Sequence, residues 1–527
     1  MIWKVSKQRR VLAASSLLAC TALFTGKEIS DYSSPPSGEK LCDFAFPADP
    51  GENKLTTLVL QPPDHPLTEV QNFINDASCL NKTRIYGIVK VKTVEDVRAS
   101  IEFARANHLK VSVAGQRHSM GGQTFSKDGL VLDMRDFNAI TLDRSRKVVH
   151  VQSGATWAQI QQLVDKEGLS VQAMQSINIF TVGGSLSVNA HGIAHRPGPV
   201  ASTVRSLRVM LANGEIRNAS PTENPELFRL ALGGYGLFGV ILDADIQLTD
   251  NEVYSLETHE MDYSDFPAYY RTHVADDATV GLMYGRISIS PTSYLRETAI
   301  HIYRRTQFNG QIPPIQPSTH DRLDRFVINF SKTGAFGRWV RWTLEKHFGP
   351  KLHACLSRNQ ATVQKEACLV SRNEEMNDSM GYLKNRLHDT DILQEYFIPR
   401  DQMQQFVDGL RSIVRQDGSN LLNVTIRSVD ADHVTALPYA KQDMFAFVLY
   451  FNQKLTKEQS EMLRKTTIDL VNLAISLSGT YYLPYQLYYS SQQLRKAYPE
   501  IDAFFAAKKM YDPDGLFSSK FYEKYAE

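Results

Sequence analysis

The chain has 527 residues, 43% of them hydrophobic and 22% charged, enough length and apolar content for two or more domains with cores of their own. Its 58 basic and 57 acidic side chains nearly cancel, to a formal net charge of +1. That balance excludes the electrostatic footprint of a nucleic-acid binder, so no nucleic-acid partner is expected.

The opening "MIWKVSKQRR" carries Lys4, Lys7, Arg9 and Arg10 without an acid, and the apolar run "VLAASSLLACTALF" follows. This is the grammar of an export signal, and the run is shorter than the roughly 20 residues that a stable span wants. Residues 1–27 are therefore expected to be a signal peptide or membrane anchor, and the protein to be exported or membrane-associated, periplasmic or secreted. Three refinements stay open: Arg9-Arg10 is a partial twin-arginine signal, Cys20 a partial lipoprotein site, and the acid-free start also fits a mitochondrial address. Five cysteines occur, Cys20, Cys42, Cys79, Cys355 and Cys368. The four beyond the leader suit one or two disulfides, Cys355 with Cys368 among the pairings, or isolated buried thiols equally well. No CxxC spacing is present, and no metal site is expected.

Residues 28–83 begin with Pro-, Ser- and Gly-rich stretches and read as an N-terminal arm. Over 84–250 the pattern tightens into an α+β domain. "IYGIVKV" predicts a strand, "TVEDVRASIEFARANHL" a capped amphipathic helix, and "KVSVAG" a second strand. Then come the strand "GLVLDM", two strands about a turn in "AITLDRSRKVVHVQSG", the helix "TWAQIQQLVDKEGL" and a Gly-rich stretch. A hairpin with an Asn-Gly turn in "SLRVMLANGEIRNAS", the helix "NPELFRLAL" and the strand "GVILDADIQLT" complete the domain. Residues 251–480 are richer in Tyr, Phe and long strands such as "ETAIHIYRR" and "DMFAFVLYFNQ", and predict a second sheet with covering helices. In the tail, residues 481–527, "YPEIDAFFAAKKMYDPDGLF" reads as a helix and a turn.

Three glycine-bearing stretches invite a functional reading. "AGQRHSMGGQTF", Ala114–Phe125, follows a strand; its glycines let backbone amides approach an anion but leave His118 unexplained. "FTVGGSLSVNAHG", Phe180–Gly192, sets unhindered amides beside short donors, which is also anion chemistry. "GGYGLFG" matches G-x-G-x-x-G at Gly234, Gly236 and Gly239. A helix precedes it and a strand follows, the reverse of the order that sets a pyrophosphate on a helix N-terminus, so a Rossmann site is rejected.

Taken in order, AGQRHS, GLVLDM, QSGATWAQI, TVGGSLSVNAHG and GGYGLFGVI resemble the flavoprotein family of vanillyl-alcohol oxidase and p-cresol methylhydroxylase over about residues 84–250, and "KKMYDPDGLF" resembles the family's closing segment. Within the family the glycine segments look most like decaprenylphosphoryl-ribose oxidase, while "RHS" and "LQEYFIPR" look more like alditol and aldonolactone oxidases. The resemblance implies a two-part PCMH-type FAD-binding domain over 84–250, an antiparallel-sheet cap (substrate) domain over 251–480, and a return to the FAD domain over 481–527. FAD is the implied cofactor, bonded through His118 or, as in relatives without that histidine, bound with no bond while His118 hydrogen-bonds. Gly115, Gln116, Arg117, Ser119, Met120, Gly121 and Gly122 stand at the implied diphosphate cradle. Ser153, Gly154, Thr156, Thr181, Gly183, Gly184, Ser187, Asn189, Gly192, Gly236, Val240 and Ile241 fall at further FAD contacts, and His191 beside the isoalloxazine. The cysteine of doubly linked relatives is missing from "AMQSINIF", so no second tether is expected.

Flavin N5 accepts hydride, so an alcohol carbon must be held against it while a base takes the hydroxyl proton. In "NVTIRSVDAD" Arg427 is retained, but Thr425 stands where alditol oxidases place an acid, and Tyr485 appears where the ribose oxidase has its lysine. Tyr485 is expected to donate a hydrogen bond or, if Arg427 depresses its pKa, to act as base. Gln394, Glu395 and Tyr396 are expected to face the flavin. The resemblance implies oxidation of a sugar alcohol, aldonolactone or glycosyl-type alcohol, with oxygen, a quinone or a cytochrome as electron acceptor. An amine dehydrogenase or C=C reductase of the same family, and an exported flavin-binding protein that passes electrons without a substrate of its own, stay open.

Overall fold

A computed structural model describes residues 73–315, 321–352, 369–376 and 389–526. The export-signal reading and Cys20, Cys42, Cys355 and Cys368 lie outside the described residues. Cys79 is disulfide-bonded.

The first layer is a three-stranded parallel sheet in which Leu130–Asp133 lies between Gly87–Lys90 and Val111–Ala114. Parallel strands need a crossover, and Val94–Ala106 carries the chain from one outer strand, Gly87–Lys90, to the other, Val111–Ala114. Its N-cap Thr93 closes a capping box with Asp96, and Val97, Ile101 and Ala104 recur at helical spacing to bury one face. The tail returns to this sheet: Phe517 bridges Val111 in parallel, and Leu516 and Phe517 join the sheet's hydrophobic cluster.

A second sheet runs Ile216–Ala219, Val204–Met210, Val240–Asp250, Val148–Gln152, Ile140–Asp143, with Leu169–Val171 paired to the far end of the long strand. All of its pairings are antiparallel. The Asn213-Gly214 connection is longer than a two-residue hairpin loop; Leu211 N bonds Glu215 O, and Gly214 takes the left-handed conformation at φ +83. The Gly-rich stretch forms a short helix, Val182–Ser187, which the strand-and-helix pattern does not announce.

The third layer is an eight-stranded antiparallel sheet ordered Leu369–Ser371, Val253–Asp262, Glu297–Arg305, Val280–Ile287, Asn420–Val429, Met444–Lys454, Asp389–Pro399, Thr480–Tyr481. Helices Met403–Asp417 and Lys457–Ser476 pack together beside it. One hydrophobic cluster continues from Val149 and Leu207 through Tyr270 to Phe406, Phe447 and Leu470, so the second and third sheets share a core.

Candidate active site

A cavity is walled by residues distant in sequence: Val113, Ala114, Gly115, Ser119, Gln123, Thr124, Met134, Ser153, Thr181, Gly183, Gly184, Ser187, Val188, Tyr235, Gly236, Gly239 and Ile241. Strand ends and the turns after them supply most of this wall, which is why small residues collect there. A Cβ on Gly236 would meet nothing within 4 Å, and one on Gly184 only Thr181 Oγ1 at 3.1 Å. Both positions therefore leave room beside the backbone. Ser153 Oγ and Thr124 Oγ1 are buried without a hydrogen-bond partner. Buried polar atoms left single in this way mark a place for a polar ligand.

His118 stands beside this wall with its ring 4.4 Å from that of Phe180. Its Nδ1 lies 2.8 Å from Gln116 O. A carbonyl can only accept, so Nδ1 carries the proton and Nε2 keeps the lone pair. Burial, offset in part by that bond, pushes the imidazole pKa down to about 4, so it is neutral near pH 7.

Past Val188 the site becomes acidic and aromatic. His191 Nε2 lies 2.7 Å from Glu395 Oε1, and the two residues are 5% and 3% exposed. The contact lacks hydrogen-bond alignment, and both atoms, with His191 Nδ1, are otherwise unsatisfied. Phe397, Tyr439 and Tyr482 surround the His191 ring at 5.4, 5.7 and 6.0 Å. Tyr439 and Tyr482 donate to Asn189 O and Val188 O, which ties the cap to the glycine-rich segment. Arg427 donates to Ser176 Oγ at 2.9 Å and to His191 O at 3.4 Å. Burial pushes the phenol pKa values of Tyr439, Tyr482 and Tyr485 well above the usual tyrosine range. At Tyr485 the neighbouring Glu395 adds to the rise, and Arg427 offsets part of it.

Residues 86–220 match the family model described as an FAD binding domain. FAD is the cofactor. The open glycines and the single Ser153 and Thr124 hydroxyls fit such a group in the cavity. Among similar curated proteins are cytokinin dehydrogenase 9 of Oryza sativa subsp. japonica, 23% identical over 80% of this chain and 82% of its own length, and decaprenylphosphoryl-beta-D-ribose oxidase of Mycolicibacterium smegmatis, 33% identical over 30% and 35%. A putative D-arabinono-1,4-lactone oxidase of Neurospora crassa is 31% identical over 29% and 28%. The chain spans about half the length of the first curated relatives it matches, 51% and 42%.

Of the residues expected at FAD, Gly115, Ser119, Ser153, Thr181, Gly183, Gly184, Ser187, Gly236 and Ile241 line the cavity. The others are placed differently. The amides of Gly121 and Gly122 donate to Gln123 Oε1 and Asp76 Oδ2, so they are not an open cradle. Met120 is buried, and its Sδ accepts from Leu393 N. Gly154 and Gly192 are packing glycines, where a Cβ would sit 1.7 Å from Met134 O and 2.0 Å from Met174 O. Thr156 caps the helix Trp157–Asp165, Asn189 bonds Asp432, and Val240 packs in the parallel sheet's core. Gln116 contributes its carbonyl to His118, and Arg117 takes a left-handed conformation at φ +54.

On the strand Asp389–Pro399 successive side chains alternate faces. Glu395 and Phe397 meet His191, whereas Gln394 bonds Thr467 of the covering helix and accepts from Tyr396. Gln394 and Tyr396 are thus corrected to the helix side. The expectation of a base at Tyr485 is corrected too, because burial and Glu395 outweigh Arg427 and keep the phenol protonated. Thr425 is bonded by Arg286 and Asn423. Sequence reasoning missed Tyr439, Tyr482, Ser176 and the wall residues Gln123, Thr124 and Tyr235; the last three lie inside motifs already singled out. Among the described residues no cluster that could hold a metal occurs, and no helix is long and apolar enough to cross a membrane.

Proposed function

We propose that this chain is an FAD-dependent oxidoreductase that removes hydride from the CH–OH carbon of a sugar alcohol, aldonolactone or glycosyl-type substrate. The observation that carries the reading is the buried His191–Glu395 contact at 2.7 Å beside the FAD wall. Bound FAD supplies hydride acceptance at N5. Glu395, with His191 against it, takes the hydroxyl proton, and the protonated phenols of Tyr482 and Tyr485 and the Arg427 guanidinium orient the oxygen. His118 tethers FAD through Nε2, its nitrogen with a free lone pair.

An amine carbon is the second reading, favoured by the 440-residue similarity to a cytokinin dehydrogenase and by the Phe397, Tyr439 and Tyr482 box. Anaerobic bleaching of the bound flavin decides between them. Polyols, lactones and sugars bleach it under the first reading and cytokinins under the second. A flavin that none of them bleaches would count against both and favour an electron-passing protein. We also place the chain in an exported or membrane-associated setting, supported by the basic-apolar opening and the Cys79 disulfide. Oxygen, a quinone or a cytochrome re-oxidises the flavin.

A further inference from the structure

The segment Asn75–Asn81 precedes the matched domain and fastens the loop that carries His118. Ala77 N donates to Arg117 O at 3.0 Å, Asn81 Nδ2 to Met120 O at 2.7 Å, and Gly122 N to Asp76 Oδ2 at 3.0 Å. One bond falls just before His118 and two just after it. Arg117 and Gly122 are also the loop's left-handed residues, at φ +54 and +70. For Arg117 that conformation is unfavourable and needs outside support. Asp76 is the node of this support. It is 3% exposed; Oδ1 accepts from the amide and hydroxyl of Ser78, and Oδ2 from Asn81 Nδ2 and Gly122 N. A carboxylate with four donors around it is a strong and directional fixture. The same segment reaches the rest of the site, since Gln486, next to Tyr485, donates to Ser78 Oγ and Thr390, on the Glu395 strand, donates to Ser78 O.

We propose that Asp76 is a positioning residue for the cofactor tether: its carboxylate fixes residues 117–122 so that His118 presents Nε2 to FAD. The proposal rests on the reading of His118 given above. Tethering joins an imidazole nitrogen to the 8α-methyl carbon, with one proton lost from the methyl group and one from the imidazole. The two electrons released pass through the flavin to dioxygen, which leaves as hydrogen peroxide. Nothing in that balance involves Asp76, so its contribution is geometric.

The test uses the full chain loaded with FAD and two variants. Asp76→Asn keeps the size of the side chain but turns a donor toward groups that are themselves donors. Asn75→Ala is the control: among the described residues Asn75 Oδ1 accepts from Asp76 N and Asn81 N, both inside the segment. Three quantities are followed: flavin bound before denaturation, the time course of flavin that stays with acid-precipitated protein, and hydrogen exchange over residues 117–122. Asp76→Asn is expected to bind FAD at the wild-type stoichiometry, tether it about tenfold or more slowly, and exchange faster over 117–122, while Asn75→Ala behaves as wild type. Wild-type tethering and exchange in Asp76→Asn would overturn the proposal, and so would equal losses in both variants, which would show general support of the fold. Should Asp76→Asn not fold, Asn81→Ala, which removes the Met120 bond, replaces it with the same expected split between binding and tethering. If the wild type itself releases all its flavin in acid, the His118 reading fails separately. The tether role of Asp76 then falls with it, and exchange decides what is left: a rise confined to 117–122 in Asp76→Asn shows that the carboxylate fixes this loop, and no rise overturns that as well.

Discussion

Glu395 is the residue whose chemistry can be separated from its structure. Its side chain is buried, faces His191, and has phenols rather than bases as its other neighbours. Glu395→Gln is expected to leave FAD content unchanged and to slow anaerobic flavin reduction by roughly 10²–10⁴-fold, the range for loss of a general base. Tyr485→Phe removes only a donor and should cost about tenfold, in the same stopped-flow measurement. A second prediction concerns acid. His195 is buried, Val274 O sits 3.1 Å from its Nε2, and burial first, then Arg196, pushes its pKa down to about 4. Between pH 6.5 and 4 the unfolded chain binds the proton and the folded one does not, so this histidine's share of stability is present above 6.5 and lost as pH falls toward 4. Asp76, raised to about 6 by burial, works in the opposite sense over nearly the same window. The difference between wild type and His195→Gln therefore isolates the histidine: the variant's melting temperature should fall less steeply from pH 6.5 to 4.

At the scale of elements, the glycines divide into those that pack and those that face the ligand. Gly154→Ala would put a methyl 1.7 Å from Met134 O, between the single 3-10 turn Met134–Asp136 and the strand Val148–Gln152. It should lower the melting temperature of the FAD-free protein. Gly184→Ala meets only Thr181 Oγ1 at 3.1 Å but fills the wall of the cavity. It should leave that melting temperature nearly unchanged and weaken FAD binding in a fluorescence titration. The elements themselves were legible because their signals are local: Thr93 with Asp96 announces a helix, and the strand Val111–Ala114 ends where the glycines begin. What was not legible is non-local. Asp76 claims the Gly122 amide from 46 residues away, which no spacing rule reveals. Likewise "LQEYFIP" is buried on both faces of its sheet, so polarity could not show that Glu395 turns to the site and Gln394 to the helix.

At the scale of the molecule, the cap sheet and the FAD-binding region are joined through buried polar contacts rather than hinged on a linker. Ala194 bridges Leu282, His195 N bonds Gly281 O, and Met283 N bonds Ile193 O, so the backbone after the glycine-rich segment runs along a cap strand. Arg372 adds bonds to Val171 O and Tyr254 Oη. Asp432 ties the same seam from the cap side: Oδ2 accepts from Asn189 Nδ2 at 2.9 Å, while Oδ1 accepts from Val434 N and Thr435 N. Asn189 in turn holds Ala201 N through Oδ1, and its carbonyl accepts from Tyr439. Removing the carboxylate leaves these buried donors without an acceptor, a loss of about 3 kcal/mol. Because the seam and the shared core couple the two regions, that loss should act on the whole molecule. Calorimetry of the wild type is expected to show one main transition, raised by saturating FAD through mass action, and Asp432→Ala should move that transition down without splitting it. Two separated peaks in the variant, only one of them sensitive to FAD, would mean that Asp432 supports the cap alone and that the His191–Glu395 contact is assembled from two independently stable parts.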